Sequence, residues 1–310
     1  MTDTATRCGY VALVGAPNAG KSTLMNALIG GKVSIVSPKV QTTRTRVTGI
    51  IAEGESQIIF VDTPGIFVPK RRLDRAMVRA AWDGAKDADR IVLLIDASQA
   101  RLDEDSERII AELEKSGRKA MLALNKIDLV KQRQTLLAKV QALSERFPFT
   151  RIFMISAATG DGIADLRTHL AGEMPEGPWL YPEDEMTDMP LRLLAAEVTR
   201  EKLFVNYHQE VPYGLTVETE KWEDFKDGSV KIDQTIYVQR DNHKAIVLGK
   251  GGQAIRRVRE QAQNELEAMM DRKVHLFLFV KVRESWDEDP ERFKPWGLEW
   301  NAWCGPTIIR

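Results

Sequence analysis

Residues Gly15-Ala16-Pro17-Asn18-Ala19-Gly20-Lys21-Ser22 spell GxxxxGK[ST], and Thr23 follows them. In such a loop, glycines let backbone N–H groups converge on phosphates, and the start of the following helix adds a favourable dipole. Lys21 is placed to reach the β and γ phosphates, and the Ser22 hydroxyl to bind Mg2+. Further on comes Asp62-Thr63-Pro64-Gly65. An Asp at a strand end suits a Mg2+ contact, and a Gly there lets its N–H approach the γ-phosphate. Asn125-Lys126-Ile127-Asp128 matches NKxD. The Asp128 carboxylate can accept from both N1–H and the exocyclic amine of guanine. Adenine lacks that donor pair, so such a site rejects ATP. Ser156-Ala157 fits a weaker signature near the guanine oxygen. Gln41-Thr42-Thr43-Arg44 lies between the first two motifs. A threonine there can bind Mg2+ and sense the γ-phosphate as a switch; residue type alone does not choose between Thr42 and Thr43. The expected catalytic set is Lys21, Thr42, Thr43 and Gly65. Taken singly, DTPG is also an ordinary turn, NKID a capped helix start and QTTR a polar loop. Their order after the phosphate loop is what favours chemistry.

These motifs need strand ends to hold them. Apolar runs at Tyr10–Val14, Ile58–Val61, Ile91–Ile95, Ala120–Leu124 and Arg151–Ile155 alternate with helical patterns at Gly20–Leu28, Asp103–Ser116 and Gln134–Glu145. That alternation predicts a doubly wound, mostly parallel α/β sheet, whose ligands sit beyond the carboxyl ends of the strands. The α/β P-loop domain is expected over residues 1–172. Residues 173–188, with three prolines and no Lys or Arg, read as a linker, or as an ordered loop packed through Trp179 and Tyr181. An α+β domain follows over 189–286. It has a helix at Met189–Phe204, strands at Tyr213–Trp222 and Val230–Arg240 around an Asp227-Gly228 turn, a strand-like Ala245–Leu248, a helix from Gln253 to Met270 and a strand at Val274–Val282. Residues 287–310 form a tail rich in Trp and acidic side chains.

The second half carries its own motif. Gly249-Lys250-Gly251-Gly252 is a GxxG loop, followed by Arg256, Arg257 and Arg259. Lys244 to Arg283 holds nine Lys or Arg against four Asp or Glu, a local basic patch suited to a phosphate backbone. A solvated helix face is the plain alternative.

Taken together, the chain resembles the Era family, that is, Era/TrmE-type P-loop GTPases with a C-terminal KH domain that act in bacterial ribosome assembly. The resemblance covers about residues 8 to 286. It rests on GAPNAGKST at Gly15–Thr23, QTTR at Gln41–Arg44, VDTPG at Val61–Gly65, LNKID at Leu124–Asp128 and ISA at Ile155–Ala157. REKL at Arg200–Leu203, VPY at Val211–Tyr213 and VHLFLFVKV at Val274–Val282 narrow it. The resemblance implies a type II KH fold whose GxxG loop clamps about four nucleotides of RNA. The implied role is a GTP-hydrolysing switch on the 3′ region of small-subunit (16S) ribosomal RNA during assembly of the 30S subunit. It also implies K+ beside the phosphates, with Asn18 as the ligand, and peripheral contact with the inner membrane. Two stretches depart from the family pattern: Pro69–Trp82 is poorly specified, and the tail after Trp286 is longer. Ile66 stands where Ras-like enzymes place a water-orienting glutamine. An apolar side chain cannot orient water, so slow intrinsic hydrolysis is expected.

Composition excludes little but is consistent. A 43% hydrophobic, 29% charged chain of 310 residues with net charge −1 can build two cores, and its balance names no partner. Cys8 and Cys304 form no CxxC, so neither zinc nor a disulfide framework is supported. There is no signal-peptide pattern and no run of roughly 18 apolar residues. A monomer in the cytoplasm is the default. Two rival readings stay open: a GTPase acting on another RNA, as in tRNA modification, and an RNA chaperone with little turnover. NKID disfavours an ATPase.

Overall fold

The computed structural model describes residues 5–69, 71–290 and 298–299. They divide into two compact units, one holding residues up to Ser34, Thr43–Asp188 and residues 298–299, the other Ile35–Thr42 together with residues 189–290.

The first unit is built on six strands, β1 (Arg7–Gly15), β2 (Val47–Glu53), β3 (Ser56–Asp62), β4 (Arg90–Asp96), β5 (Met121–Asn125) and β6 (Ile152–Met154), in the order β2-β3-β1-β4-β5-β6. All neighbours are parallel except β2 and β3. Val11–Val14, Ile58–Val61 and Val92–Leu94 are almost wholly buried, as expected of parallel strands covered by helices on both faces. The helices are α1 (Lys21–Ile29), α2 (Arg72–Asp87), α3 (Glu104–Ser116), α4 (Gln134–Arg146) and α5 (Ile163–Glu173). Chain direction across the sheet reverses at β1, so the loop after β1 sits at the topological switch point.

Two features lie outside the sequence-based expectation, and a third follows its alternative of an ordered loop at Trp179 and Tyr181. β2 pairs antiparallel with β3 through a turn at Gly54; its period is interrupted by Gly49, and it closely follows the QTTR loop. The poorly specified Pro69–Trp82 stretch contains the first turns of α2, where the Asp74 carboxylate accepts from the Arg71 backbone N–H at 2.9 Å. Residues 174–188 are an ordered strap. The buried Gln57 amide donates to Tyr181 O (2.7 Å) and accepts from the N–H groups of Leu180 and Tyr181 (2.8 and 3.1 Å). Trp179 Nε1 donates to Glu55 O, and Ile50 N to Met186 O. The strap thus satisfies backbone groups at the edge of the sheet that would otherwise lack partners.

The second unit has α6 (Leu191–Asn206), β7 (Leu215–Asp224), β8 (Val230–Val238), α7 (Asp241–Leu248), α8 (Gln253–Met270) and β9 (Val274–Val282). The sheet order is β7-β8-β9, with β7 antiparallel and β9 parallel to β8. One sheet face, including Val217, Ile232, Ile236, Val274 and Leu276, packs on α6 and α8. Ala245–Leu248 is helical, not strand-like. Asp241 opens this helix, and Gly249 N–H closes it on Ala245 O; the short apolar run AIVL carries no period that separates strand from helix. Trp286, buried, donates from Nε1 to Gly214 O at 3.0 Å. Cys304 and nearly all of the expected tail lie outside the described residues.

Candidate functional site

β1, β3, β4 and β5 deliver their motifs to one end of the sheet. Gly15, Asp62, Asp96 and Asn125 are the last residues of these four strands. The phosphate loop runs from β1 into α1. Its turn needs a left-handed residue at Gly20 (φ 100°), where a Cβ would collide with Asn125 Nδ2, so only glycine fits. Lys21 is buried and donates from Nζ to Gly15 O and Ala16 O, both at 3.0 Å. Burial lowers its pKa to about 8, partly opposed by the Asp62 carboxylate. The ammonium is therefore curled on the loop that would hold phosphates. Asn18 is exposed at the tip with φ 62°.

Asp62 is the centre of the charged end. Its Oδ2 accepts from Ser22 Oγ (2.6 Å), Ser34 Oγ (2.9 Å) and Thr43 Oγ1 (3.4 Å). Its Oδ1 is buried and has no hydrogen-bond partner among the described residues. Burial raises the Asp62 pKa above the ordinary carboxylate value, and Lys21 and these three hydroxyls work against that rise. Ser22 Oγ and Thr43 Oγ1 stand 2.9 Å apart. The two hydroxyls are hydrogen-bonded to each other. Hard oxygen donors and an orphaned carboxylate oxygen fit Mg2+. The structure also separates the two threonines. Thr42 Oγ1 turns away, donating to Lys39 O (2.7 Å) and lying 2.6 Å from Ser37 Oγ. Ser34, which shares the carboxylate with Ser22, carried no motif and was not legible in the sequence.

The base end is braced by Asn125. Its Nδ2 donates to Ala19 O (2.9 Å) and its Oδ1 accepts from Ala157 N (3.0 Å). One buried side chain thus ties the phosphate loop, NKID and Ser156-Ala157 together. Ser156 Oγ donates to Asp128 Oδ1 at 2.6 Å, aiming the carboxylate. Lys126 takes φ 64° and donates from Nζ to Asp96 Oδ2 at 2.7 Å. Although burial works the other way, the Lys126 and Ser98 hydrogen bonds hold Asp96 below the ordinary value. Asp96 is a second residue the motifs did not flag. Thr63 Oγ1 donates to Leu13 O at 2.9 Å, so it anchors DTPG from behind. Gly65 lies against Pro17, and Ile66 N–H donates to Gly15 O (3.2 Å). The Ile66 side chain is buried in the core cluster with Val14 and Ala81, where it cannot order water.

In the second unit, the GxxG loop joins α7 to α8. Gly249 adopts φ 69°, and a Cβ there would meet Ala254 Cβ at 2.6 Å. Lys250, Arg256 and Arg257 are exposed and Arg259 is half-buried, so cations flank the loop on the solvent side. Tyr207 Oη donates to Val247 O at 2.7 Å, fixing α7. Segment Ile35–Thr42 is held on α6: Val36 N–H donates to Glu201 Oε1 (2.7 Å), Lys39 Nζ to the carbonyls of Phe204 and Tyr207, and Arg200 Nη2 to Thr42 O (2.5 Å). Among the described residues, no three His, Cys, Asp or Glu side chains converge as a metal site, and no helix is long and apolar enough to cross a membrane.

A phosphate loop at the switch point, NKID braced beside it by Asn125 and a GxxG helix pair define a P-loop GTPase joined to a KH domain. A family model described as a 50S ribosome-binding GTPase matches residues 10–126, and one described as a KH domain matches 210–287. The chain is 58% identical over 294 residues to GTPase Era of Afipia carboxidovorans, and 57% identical over 295 residues to GTPase Era of Bradyrhizobium diazoefficiens, in each case over 95% of both chains. A crystal structure of a single-residue variant of Aquifex aeolicus Era bound to GDP.AlF4- superposes with TM-score 0.89 at 39% identity, over 94% of this chain and 99% of that one. Era in complex with MgGDPNP and nucleotides 1506-1542 of 16S ribosomal RNA matches with the same score, identity and coverage. The chain belongs to the Era family of GTPases and is a GTP hydrolase.

Proposed function

We propose that this protein is a GTP-driven switch that binds the 3′ region of small-subunit ribosomal RNA through its GxxG loop and assists assembly of the 30S subunit. The observation that carries the switch is the convergence of Ser22, Thr43 and Asp62 on one point, with Thr43 joined by a single peptide bond to Thr42, whose carbonyl receives Arg200. Ser22 and Thr43 would hold Mg2+ directly, with Asp62 beside them. When bound with GTP, Mg2+ would supply charge neutralisation at the phosphates. Lys21 would uncurl from Gly15 O and Ala16 O to the phosphates. Gly65 would offer its N–H to the γ-phosphate, and Asp128 would read the guanine edge. Thr43 held among these oxygens would keep Thr42, and the segment that Arg200 and Glu201 bind, in place, and loss of the γ-phosphate on hydrolysis would free it. With Ile66 buried, turnover rests on positioning and charge rather than on a water-orienting side chain.

The RNA reading is supported by the relative crystallised with nucleotides 1506-1542, a stretch far longer than the about four nucleotides one GxxG loop clamps. It is tested by RNA affinity in the GTP-analogue and GDP states with a Lys250→Asp, Gly251→Asp variant. K+ held at Asn18 belongs to the same reading; equal turnover in KCl and NaCl would remove it. So do cytoplasmic residence as a monomer and peripheral inner-membrane contact, tested by sedimentation alone and with inner-membrane vesicles.

A further inference from the structure

β9 has two faces of opposite character. Val274 and Leu276 are buried under α8, and Leu278, Val280 and Val282 pack on the helical side. The alternate residues, His275, Phe277, Phe279 and Lys281, point to the face that carries no helix of this unit. Phe277 and Phe279 are 47% and 51% exposed, and Phe225 in the β7–β8 turn is 40% exposed, with its ring 6.2 Å from that of His275. Four rings therefore run along one edge of the sheet, since β9 is the outermost strand. Exposed phenylalanines two apart on an edge strand cost solubility and invite strand pairing, and neither core cluster of this unit draws on them.

Their surroundings select the ligand. Lys231 Nζ lies 5.5 Å from the Phe277 ring centroid, and Lys281 follows Phe279 on the same face. Two carboxylates of this face are paired: Asp233 with Lys231 at 3.7 Å, and Glu220, which accepts from Tyr237 Oη at 3.0 Å. Residues two apart on a strand are about 6.6 Å apart, close to twice the ~3.4 Å stacking rise of a nucleic-acid strand. Each ring can therefore slot between successive bases, with cations beside the row for the phosphates. Sheets that stack bases on alternating aromatic side chains are a recurrent RNA-binding design. α7 and α8, which carry the GxxG loop, pack on the other face of β9, so RNA leaving the loop reaches the open face by passing over this edge strand.

We propose that the open face of β9, centred on Phe277 and Phe279, is a second single-stranded RNA site that stacks bases of the RNA leaving the GxxG loop. This rests on the RNA-binding reading above, and the test separates the two. Fluorescence anisotropy would be measured on the full chain saturated with Mg2+ and a non-hydrolysable GTP analogue. One probe is a short RNA from the 3′ end of small-subunit ribosomal RNA that fills the GxxG clamp. The other is the same RNA extended by about ten nucleotides on each side. Phe277→Leu with Phe279→Leu should weaken the longer RNA at least about tenfold and leave the short one unchanged. Tyr at both positions should restore binding, and the melting temperature should not move, since both rings are exposed. Equal affinity of the Leu variant and the natural protein for the longer RNA would overturn the proposal. So would unchanged RNA binding accompanied by lost capture of a small-subunit ribosomal protein, which would make the face a protein-docking surface. Lys250→Asp with Gly251→Asp should weaken both RNAs; if it weakens neither, the GxxG reading fails irrespective of β9.

Discussion

Replacing Thr43 by Ala should damage turnover far more than replacing Thr42. Thr43 Oγ1 is hydrogen-bonded to Ser22 Oγ at 2.9 Å and to Asp62 Oδ2 at 3.4 Å, among the oxygens that would hold Mg2+. Removing one group aimed at charge in the transition state costs about 10²–10³ in kcat, or roughly 3–4 kcal/mol. Thr43→Ala should fall in that range and also raise the Mg2+ concentration at half-maximal rate. Thr43→Ser keeps the hydroxyl and should lie within about tenfold of the natural protein. Thr42→Ala loses hydrogen bonds to Ser37 and Lys39 O only, each worth about 1 kcal/mol of local stability, while its carbonyl still meets Arg200. Its turnover should stay within about threefold. The assay is phosphate release under saturating GTP across a Mg2+ titration. A Thr42→Ala variant slower than Thr43→Ala would refute the assignment.

Asp128→Asn should weaken GTP by at least about a hundredfold and shift preference to xanthine nucleotide, because the swapped donor no longer matches guanine; unchanged GTP affinity by calorimetry would remove Asp128 from base recognition. Burial lowers Lys21 from 10.5 to about 8, so between these values the unfolded chain binds more protons and stability rises with pH. The nucleotide-free protein should gain up to about 3 kcal/mol across that window, absent at and below neutral pH. Denaturant titrations of Lys21→Met should lack the rise, and an identical slope would contradict the shift. Arg200 is 1% exposed, and its Nη2 and Nε bind Glu197 at 2.5 and 2.8 Å. Arg200→Ala strands a buried carboxylate and should cost about 3–5 kcal/mol, whereas Arg200→Met with Glu197→Gln should recover most of it. A single variant as stable as the natural protein in thermal melts would show the pair to be solvated.

Motifs that bind phosphate and base were legible because each needs a residue type at a strand end, and the strands themselves are long apolar runs. The helix–loop–helix around GxxG was half legible. Gln253–Met270 has a clear period, but AIVL before the loop reads equally as strand, and only the Asp241 start and the Gly249 closure make it helical. The strap over 174–188 was half legible: its prolines and acids look like a linker, Trp179 and Tyr181 pointed to an ordered loop, and the anchors at Ile50, Glu55 and Gln57 lie more than a hundred residues away. The division of labour within NKID was hidden for the same reason. Asn125 braces Ala19 and Ala157, and Lys126 meets Asp96, contacts across separate loops that no local pattern encodes. Likewise Thr42 and Thr43 are alike as residues and differ only in which way the backbone turns them.

A switch in which the nucleotide sets RNA binding is measured as affinity for a short RNA matching the 3′ end of small-subunit ribosomal RNA, with a non-hydrolysable GTP analogue and with GDP, in the natural protein and in Lys250→Asp, Gly251→Asp. Tighter binding with the analogue than with GDP, lost in the variant, is the predicted result. Equal binding in both nucleotide states and in the variant would leave a GTPase whose KH unit does not read RNA, and would contradict the account.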